Sequence, residues 1–175
     1  MKVSYNWLKE YIDFDWDWEE LVERLTMAGL ELEGAIDQRA SFSGIVIGRV
    51  EAVESHPNAD RLRVCTVNVG SAVETIVCGA PNVAAGQLVA VCLPGHHLPN
   101  GMKIDKTRIR GVESSGMICS EVELGIGEDA SGIVVLNPEL EIGRPFAEQT
   151  GRDDVQIDFE VTPNRPDCLS IYGIA

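Results

Sequence analysis

The sequence predicts a mainly β chain in which a small five-stranded β-barrel is inserted into a discontinuous α+β domain. Two segments carry the barrel. Gly48 to Gly70 (GRVEAVESHPNADRLRVCTVNVG) and Lys106 to Cys119 (KTRIRGVESSGMIC) each join alternating apolar residues to turn chemistry, the combination that short, curved strands need. The discontinuous domain follows from helical periodicity before residue 40 and a strand alternation at Val155, Ile157, Phe159 and Val161, one on each side of the barrel.

Met1 to Val3 is a short strand, after which Ser4 caps a helix presenting Trp7, Leu8, Tyr11 and Ile12 on one side. Asp17 followed by Glu20 is a capping box; Trp18, Leu21, Leu25 and Ala28 recur at helical spacing, and Gly29 is a left-handed stop. Leu30 to Ile36 alternates as a strand. From Ile45 to Val53 the apolar positions are Ile45, Ile47, Val50 and Val53, an alternation broken as at a β-bulge, with Gly44 and Gly48 placed for the bend. Ser55 to Asp60 is a tight connection, because Pro57 holds His56 extended while Asn58 and Asp60 bond their own backbone.

A second strand runs from Arg61 to Val69, a third from Thr75 to Cys78 and a fourth from Leu88 to Leu93, with a turn at Gly79 to Asn82. Pro94 to Gly101 is a loop, Lys103 to Ile109 and Val112 to Ile118 are extended, Ser120 caps a short helix, and Ile133 to Leu136 is the closing strand. Ile109, Val112 and Met117 belong to the core. Short strands around one core with a helix over an end make an OB-fold. The domains are therefore 1–40 with 151–175, and 41–150. Thr162 to Asp167 is an ordered loop that supports packing between them, with Arg165 pairing Asp167. Asp167 caps a last helix through Leu169, Ile171, Tyr172 and Ile174; it stops after two turns, as in the front of a longer chain.

A chain of 175 residues with 45% hydrophobic content builds a core of its own. No stretch has the apolar length of a membrane span and no signal peptide opens the chain, which places it in the cytoplasm with no membrane partner. Cys65, Cys78, Cys92, Cys119 and Cys168 are widely spaced and odd in number, the pattern of reduced core thiols. There is no Gly-rich phosphate loop, CxxC pair, HExxH or GxSxG, so no catalytic residue is assigned. Adjacent His96 and His97 point apart on extended backbone and make no metal site. The acidic residues Asp13 to Glu23 straddle a helix start, where the dipole stabilises them.

HPNAD followed by RLRV, then IVCGAPN at Ile76 to Asn82 and RGVESSGM at Arg110 to Met117, resemble the EMAP II type of tRNA-binding domain, an OB-fold appended to several aminoacyl-tRNA synthetases. The flanks MKVSYNWLKEYI, TMAGLELEG and VTPNRPDCLSIYGIA resemble the amino-terminal region of the bacterial phenylalanyl-tRNA synthetase beta subunit. That resemblance implies a role in tRNA placement within an alpha-two, beta-two ligase whose alpha subunit uses ATP and magnesium. This stretch would hold no cofactor, no catalytic site and no DNA.

On an OB-fold, strand faces and adjoining loops take oligonucleotides. The candidate tRNA-binding residues are Lys103, Lys106, Arg108 and Arg110, opposed only by Asp105, extended by Arg49, Arg61 and Arg63, with Asn58 and Ser115 as further positions. Taken singly, each cation equally suits a solvent-facing strand; clustering favours binding. Net charge opposes it. The chain carries 14 basic and 28 acidic residues, net −14, divided as −6 over residues 1–40, −5 over 41–150 and −3 over 151–175. Weak RNA binding by this stretch alone follows, and two alternatives stay open: a purely architectural module of the synthetase, and a free-standing tRNA-binding or chaperone-like barrel.

Overall fold

A computed structural model describes residues 1–175 and divides them into two compact units, Met1–Arg39 with Asp153–Ala175, and Ala40–Arg152. The strands in chain order are β1 (Lys2–Ser4), β2 (Glu31–Asp37), β3 (Ile45–Ser55), β4 (Arg63–Asn68), β5 (Val73–Cys78) and β6 (Leu88–Cys92). There follow β7 (His96–His97), β8 (Lys103–Ile104), β9 (Thr107–Ile109), β10 (Val112–Ser114), β11 (Met117–Ile118), β12 (Val135–Leu136) and β13 (Val155–Glu160).

The two chain ends meet in one antiparallel sheet of order β1-β13-β2. Period-two alternation decides its register: Val155, Ile157 and Phe159 are wholly buried against Val3, Leu8, Leu21 and Leu30, and a one-residue slip would bury Gln156 and Asp158 instead. The Met1 ammonium closes the pairing on the Asp158 carboxylate at 3.1 Å. In the helix Trp18–Met27 the Asp17 carboxylate accepts the Glu20 amide at 2.8 Å, but the Glu20 carboxylate turns out to Arg24, also at 2.8 Å, so only half of the predicted capping box forms. The first helix is one turn, Tyr5–Leu8; of its predicted apolar face only Leu8 is buried, and Trp7, Tyr11 and Ile12 stay partly exposed. Arg165 pairs with Asp167 at 2.9 Å and donates to the Ala28 carbonyl at 3.2 Å. The bonds of this loop thus fasten it within its own unit, where the sequence suggested packing between domains.

In the other unit the sheet order is β11-β6-β3-β4-β5, all antiparallel, with β12 also on β6. Each residue of β6 is buried. Val89 and Val91 face an interior of Val50, Cys65, Val67 and Ile76, whereas Leu88, Ala90 and Cys92 face Ile45, Ile47, Leu98 and Phe146, which is why this strand is an unbroken apolar run. The bulge in β3 falls between Val50 and Ala52 rather than at Gly48. Gly48 answers a space requirement, since a Cβ there would lie 2.6 Å from the Val91 side chain.

The barrel nearly closes where β5 meets the Ser114–Gly116 corner. The Ser115 amide donates to the Thr75 carbonyl at 2.8 Å, while the Ser114 hydroxyl accepts the Val77 amide at 3.0 Å and donates to the Gly116 carbonyl. The fold is mainly β with an OB-type five-stranded barrel. Two extended runs break. Lys103–Ile109 splits into β8 and β9 because Asn100-Gly101 doubles the chain back, pairing β8 with β7 inside the expected loop, and β9 then pairs with β10. Val112–Ile118 likewise splits at Ser115-Gly116, and Ile109 and Val112 are half-buried rather than core. The five cysteines are free and buried; burial pushes the Cys65 and Cys92 thiols up to about 11, away from thiolate chemistry.

Candidate nucleic-acid interface

The site is built where two distant segments meet. Beyond β3, the turn Ser55–Leu62 is tied by its own backbone: the His56 amide donates to the Leu62 carbonyl at 3.2 Å and the Leu62 amide to the Ala59 carbonyl at 3.2 Å. Against it lies the β9–β10 ribbon, whose two-residue turn is Arg110-Gly111 with φ of 47° and 98°. Positive φ at both positions is what a type I′ hairpin turn demands, and Asn-Gly is its usual occupant. Arg110 is the one non-glycine residue of the chain in this region of backbone space.

Buried His56 joins the two segments. Its Nδ1 accepts the Asn58 amide at 3.1 Å, so Nε2 carries the proton and donates to the Ile109 carbonyl, also at 3.1 Å. Asn58 adds a second link, its Nδ2 donating to the Arg110 carbonyl at 3.0 Å. A concavity of about 360 Å³ lies between the segments, lined by Ala59, Asp60, Arg61, Leu62 and Arg110. Arg61 and Arg110 therefore look into one space from segments 49 residues apart.

The structure sorts the candidates from the sequence. Lys106, Arg108 and Arg110 are exposed on and beside the ribbon, and Arg61 is exposed across the concavity. None of the four makes an ion pair. Arg108 stands opposite Glu113 in the ladder. Lys103 is set apart in the β7–β8 ribbon and held by Asp105 at 3.0 Å. Arg63 donates to the Ser55 hydroxyl at 3.0 Å, at the near end of β3. Arg49 is six residues further along that strand, roughly 20 Å at strand rise, and does not join the group. Asn58 is exposed but spends its amide on Arg110, and Ser115 is buried at the barrel closure. His56, whose role the sequence disclosed only as part of a turn, is the residue that unites the site.

Chemically this arrangement suits phosphate. Guanidinium groups present a fork matched to phosphate oxygens, and exposed cations without a carboxylate partner need not break an existing pair to bind one. Base stacking is not offered by Phe, Tyr or Trp: between residues 40 and 152 the only such side chains are Phe42 and Phe146, packed on one another at 5.4 Å in the core. No group of three or more His, Cys, Asp or Glu side chains gathers to hold a metal.

Comparison with known proteins adds to this geometry. Residues 45–145 match a family model described as a putative tRNA binding domain. Over its whole length the chain is similar to the phenylalanine–tRNA ligase beta subunits of Syntrophotalea carbinolica, 47% identical, and Nitratidesulfovibrio vulgaris, 49% identical. It spans 22% of the length of each of those curated relatives. Among solved structures, the C-terminal domain of Plasmodium vivax p43 aligns at 24% identity and a TM-score of 0.43, covering 59% of this chain and 58% of that one.

Proposed function

The chain belongs to the putative tRNA-binding domain family, and from that premise we propose that its barrel holds tRNA by the phosphate backbone as part of a phenylalanine–tRNA ligase beta subunit. The observation that carries the proposal is that Arg61 and Arg110 line one concavity from distant segments while Lys106 and Arg108 stand exposed on and beside the adjoining ribbon, all four free of ion pairs. In the ligase, ATP and magnesium serve the attachment of phenylalanine in a partner alpha subunit of an alpha-two, beta-two assembly in the cytoplasm. The contribution of the present residues is to place the tRNA. Similarity to the beta subunits extends over both units rather than the barrel alone, which supports a synthetase part over a free-standing tRNA-binding protein.

A second role, architectural, suits the other unit. Trp7, Tyr11 and Tyr172 are exposed and in ring contact, Trp7 with Tyr11 at 6.4 Å and Tyr11 with Tyr172 at 6.1 Å, a surface suited to packing against protein.

Titrating a tRNA transcript into the chain at several salt concentrations tests the barrel proposal. Lys106, Arg108 and Arg110 changed together to Ala should lower affinity at least about tenfold and reduce the slope of log K on log salt by about 3, near one per phosphate contact. Unchanged affinity and slope would leave the barrel with an architectural role.

A further inference from the structure

We infer that His56 and Asn58 are positioning residues for this surface: they bracket the β9–β10 ribbon against the Ser55–Leu62 turn and so set where Arg108 and Arg110 stand relative to Arg61. The inference rests on the tRNA-binding reading above.

The ribbon needs such a bracket. It has three residue pairs, Ile109 with Val112, Arg108 with Glu113 and Thr107 with Ser114, and β9 has no sheet neighbour other than β10. Two short strands alone are marginal in water. Its inner end is secured through Ser114 at the barrel closure, but its tip is tied to the rest of the barrel through the His56 and Asn58 bonds. Both bonds go to main-chain carbonyls, of Ile109 and Arg110, so they hold the backbone and leave the charged side chains free.

His56 is built for this one tautomer. It is one of four buried polar residues in the chain, and both ring nitrogens are engaged, Nδ1 as acceptor within its own turn and Nε2 as donor to the ribbon. Asn58 lies against the same turn: its Nδ2 sits 3.5 Å from where a Cβ on Gly111 would be. The left-handed conformation of Arg110 is one that a residue with a Cβ adopts only against strain. The Asn58 bond to its carbonyl holds that conformation and keeps a guanidinium at the mouth of the concavity.

The test is a double-mutant cycle in tRNA binding by the 175-residue chain, with thermal melting and amide exchange measured beside it. Asn58→Ala removes an exposed side chain, so folding is not at risk. It should weaken binding of a tRNA transcript about threefold to tenfold and speed amide exchange in Ile109–Gly111. On an Arg110→Ala background the same change should have a clearly smaller effect on binding, because Asn58 acts first on Arg110, whose carbonyl it holds, and on Arg108 only through the ribbon. His56→Ala should behave alike with a lower melting temperature. If the Lys106, Arg108, Arg110 triple variant weakens binding but Asn58→Ala does not, positioning is wrong and tRNA binding stands. Equal loss from Asn58→Ala with and without Arg110 also overturns it. If the triple variant has no effect, the tRNA-binding reading itself has failed.

Discussion

The two units of this chain handle charge in opposite ways. The unit made from the chain ends carries net −10, and of its five basic side chains three are in ion pairs, Arg24, Arg39 and Arg165, while Lys9 sits 4.5 Å over the Tyr5 ring. The barrel unit carries net −4, yet of its nine basic side chains only Lys103 and Arg144 are ion-paired. Net charge alone argues that neither unit should attract RNA. Pairing distinguishes them: cations already held by carboxylates are structural, and a group left without partners on one edge of an acidic barrel is available to a phosphate. Screening at physiological salt confines such attraction to about 8 Å, so the local grouping outweighs the sum over the domain.

The cores differ as much as the surfaces. All three Trp and all three Tyr lie in the chain-end unit, whereas the barrel interior is built from Val, Ile and Cys. Intrinsic fluorescence therefore follows one unit, and amide exchange in the barrel strands reports on the other. The sharpest way to break the comparison is Phe159→Ala, which empties a wholly buried position in the central strand of the chain-end sheet. A loss of about 3–5 kcal/mol is expected in that unit's stability. In denaturant, the fluorescence transition should move to much lower concentration while the barrel's amide protection persists. A parallel loss of barrel protection would show that the two cores are not separate folding units.

Alkaline pH should act the other way round. Cys65 and Cys92 in the barrel have folded-state values raised to about 11 by burial, against about 8.5 in an unfolded chain. Because the neutral thiol is favoured in the folded state, their contribution is complete below about pH 8.5 and is lost as pH rises toward 11. At pH 9.5 this amounts to on the order of 1 kcal/mol for each thiol. Burial and the bond to the Asp167 carboxylate also raise the single thiol of the other unit, Cys168, partly opposed by the Arg165 guanidinium beside it. Denaturation at pH 7.5 and 9.5 should show the larger loss in the barrel, reduced when Cys65 and Cys92 are both changed to Ala but not abolished, because burial also raises the Cys78 and Cys119 thiols. Equal losses in both units would contradict it.

The parts of this fold legible in the sequence are those that local periodicity controls. The alternation Val155, Ile157, Phe159 became the central strand β13, the broken alternation at Val50 became a bulge, and Gly29 stops its helix with φ of 95°. Hidden were the features set by pairing at a distance. Ile104 and Ile109 lie on one extended run in sequence, and only the return of β8 to β7 and of β9 to β10 separates them. The candidate site suffered from the same limit. Nothing local puts Arg49 at the wrong stretch of β3, or His56 against a carbonyl 53 residues away. The loss of Lys103 was within reach, since Asp105 is two residues on and so shares its face of an extended strand.

A finer contrast lies in the helix caps. In the barrel, Ser120 and Glu123 form the full reciprocal box: the Glu123 carboxylate accepts the Ser120 amide at 2.6 Å and its hydroxyl at 2.8 Å, and the hydroxyl accepts the Glu123 amide at 3.4 Å. Ser120 is buried, so losing the hydroxyl also leaves part of a carboxylate unsatisfied away from water. Asp17 in the other unit makes a single exposed bond that water can replace. Ser120→Ala should accordingly cost about 1–2 kcal/mol and Asp17→Ala about 0.5–1 kcal/mol. Each is read from the unfolding transition of its own unit. The inequality, more than either value, is the test, because intrinsic preference at the N-cap ranks Asp at least level with Ser. If Asp17→Ala proved the costlier change, reciprocity and burial would not be what sets the strength of these caps.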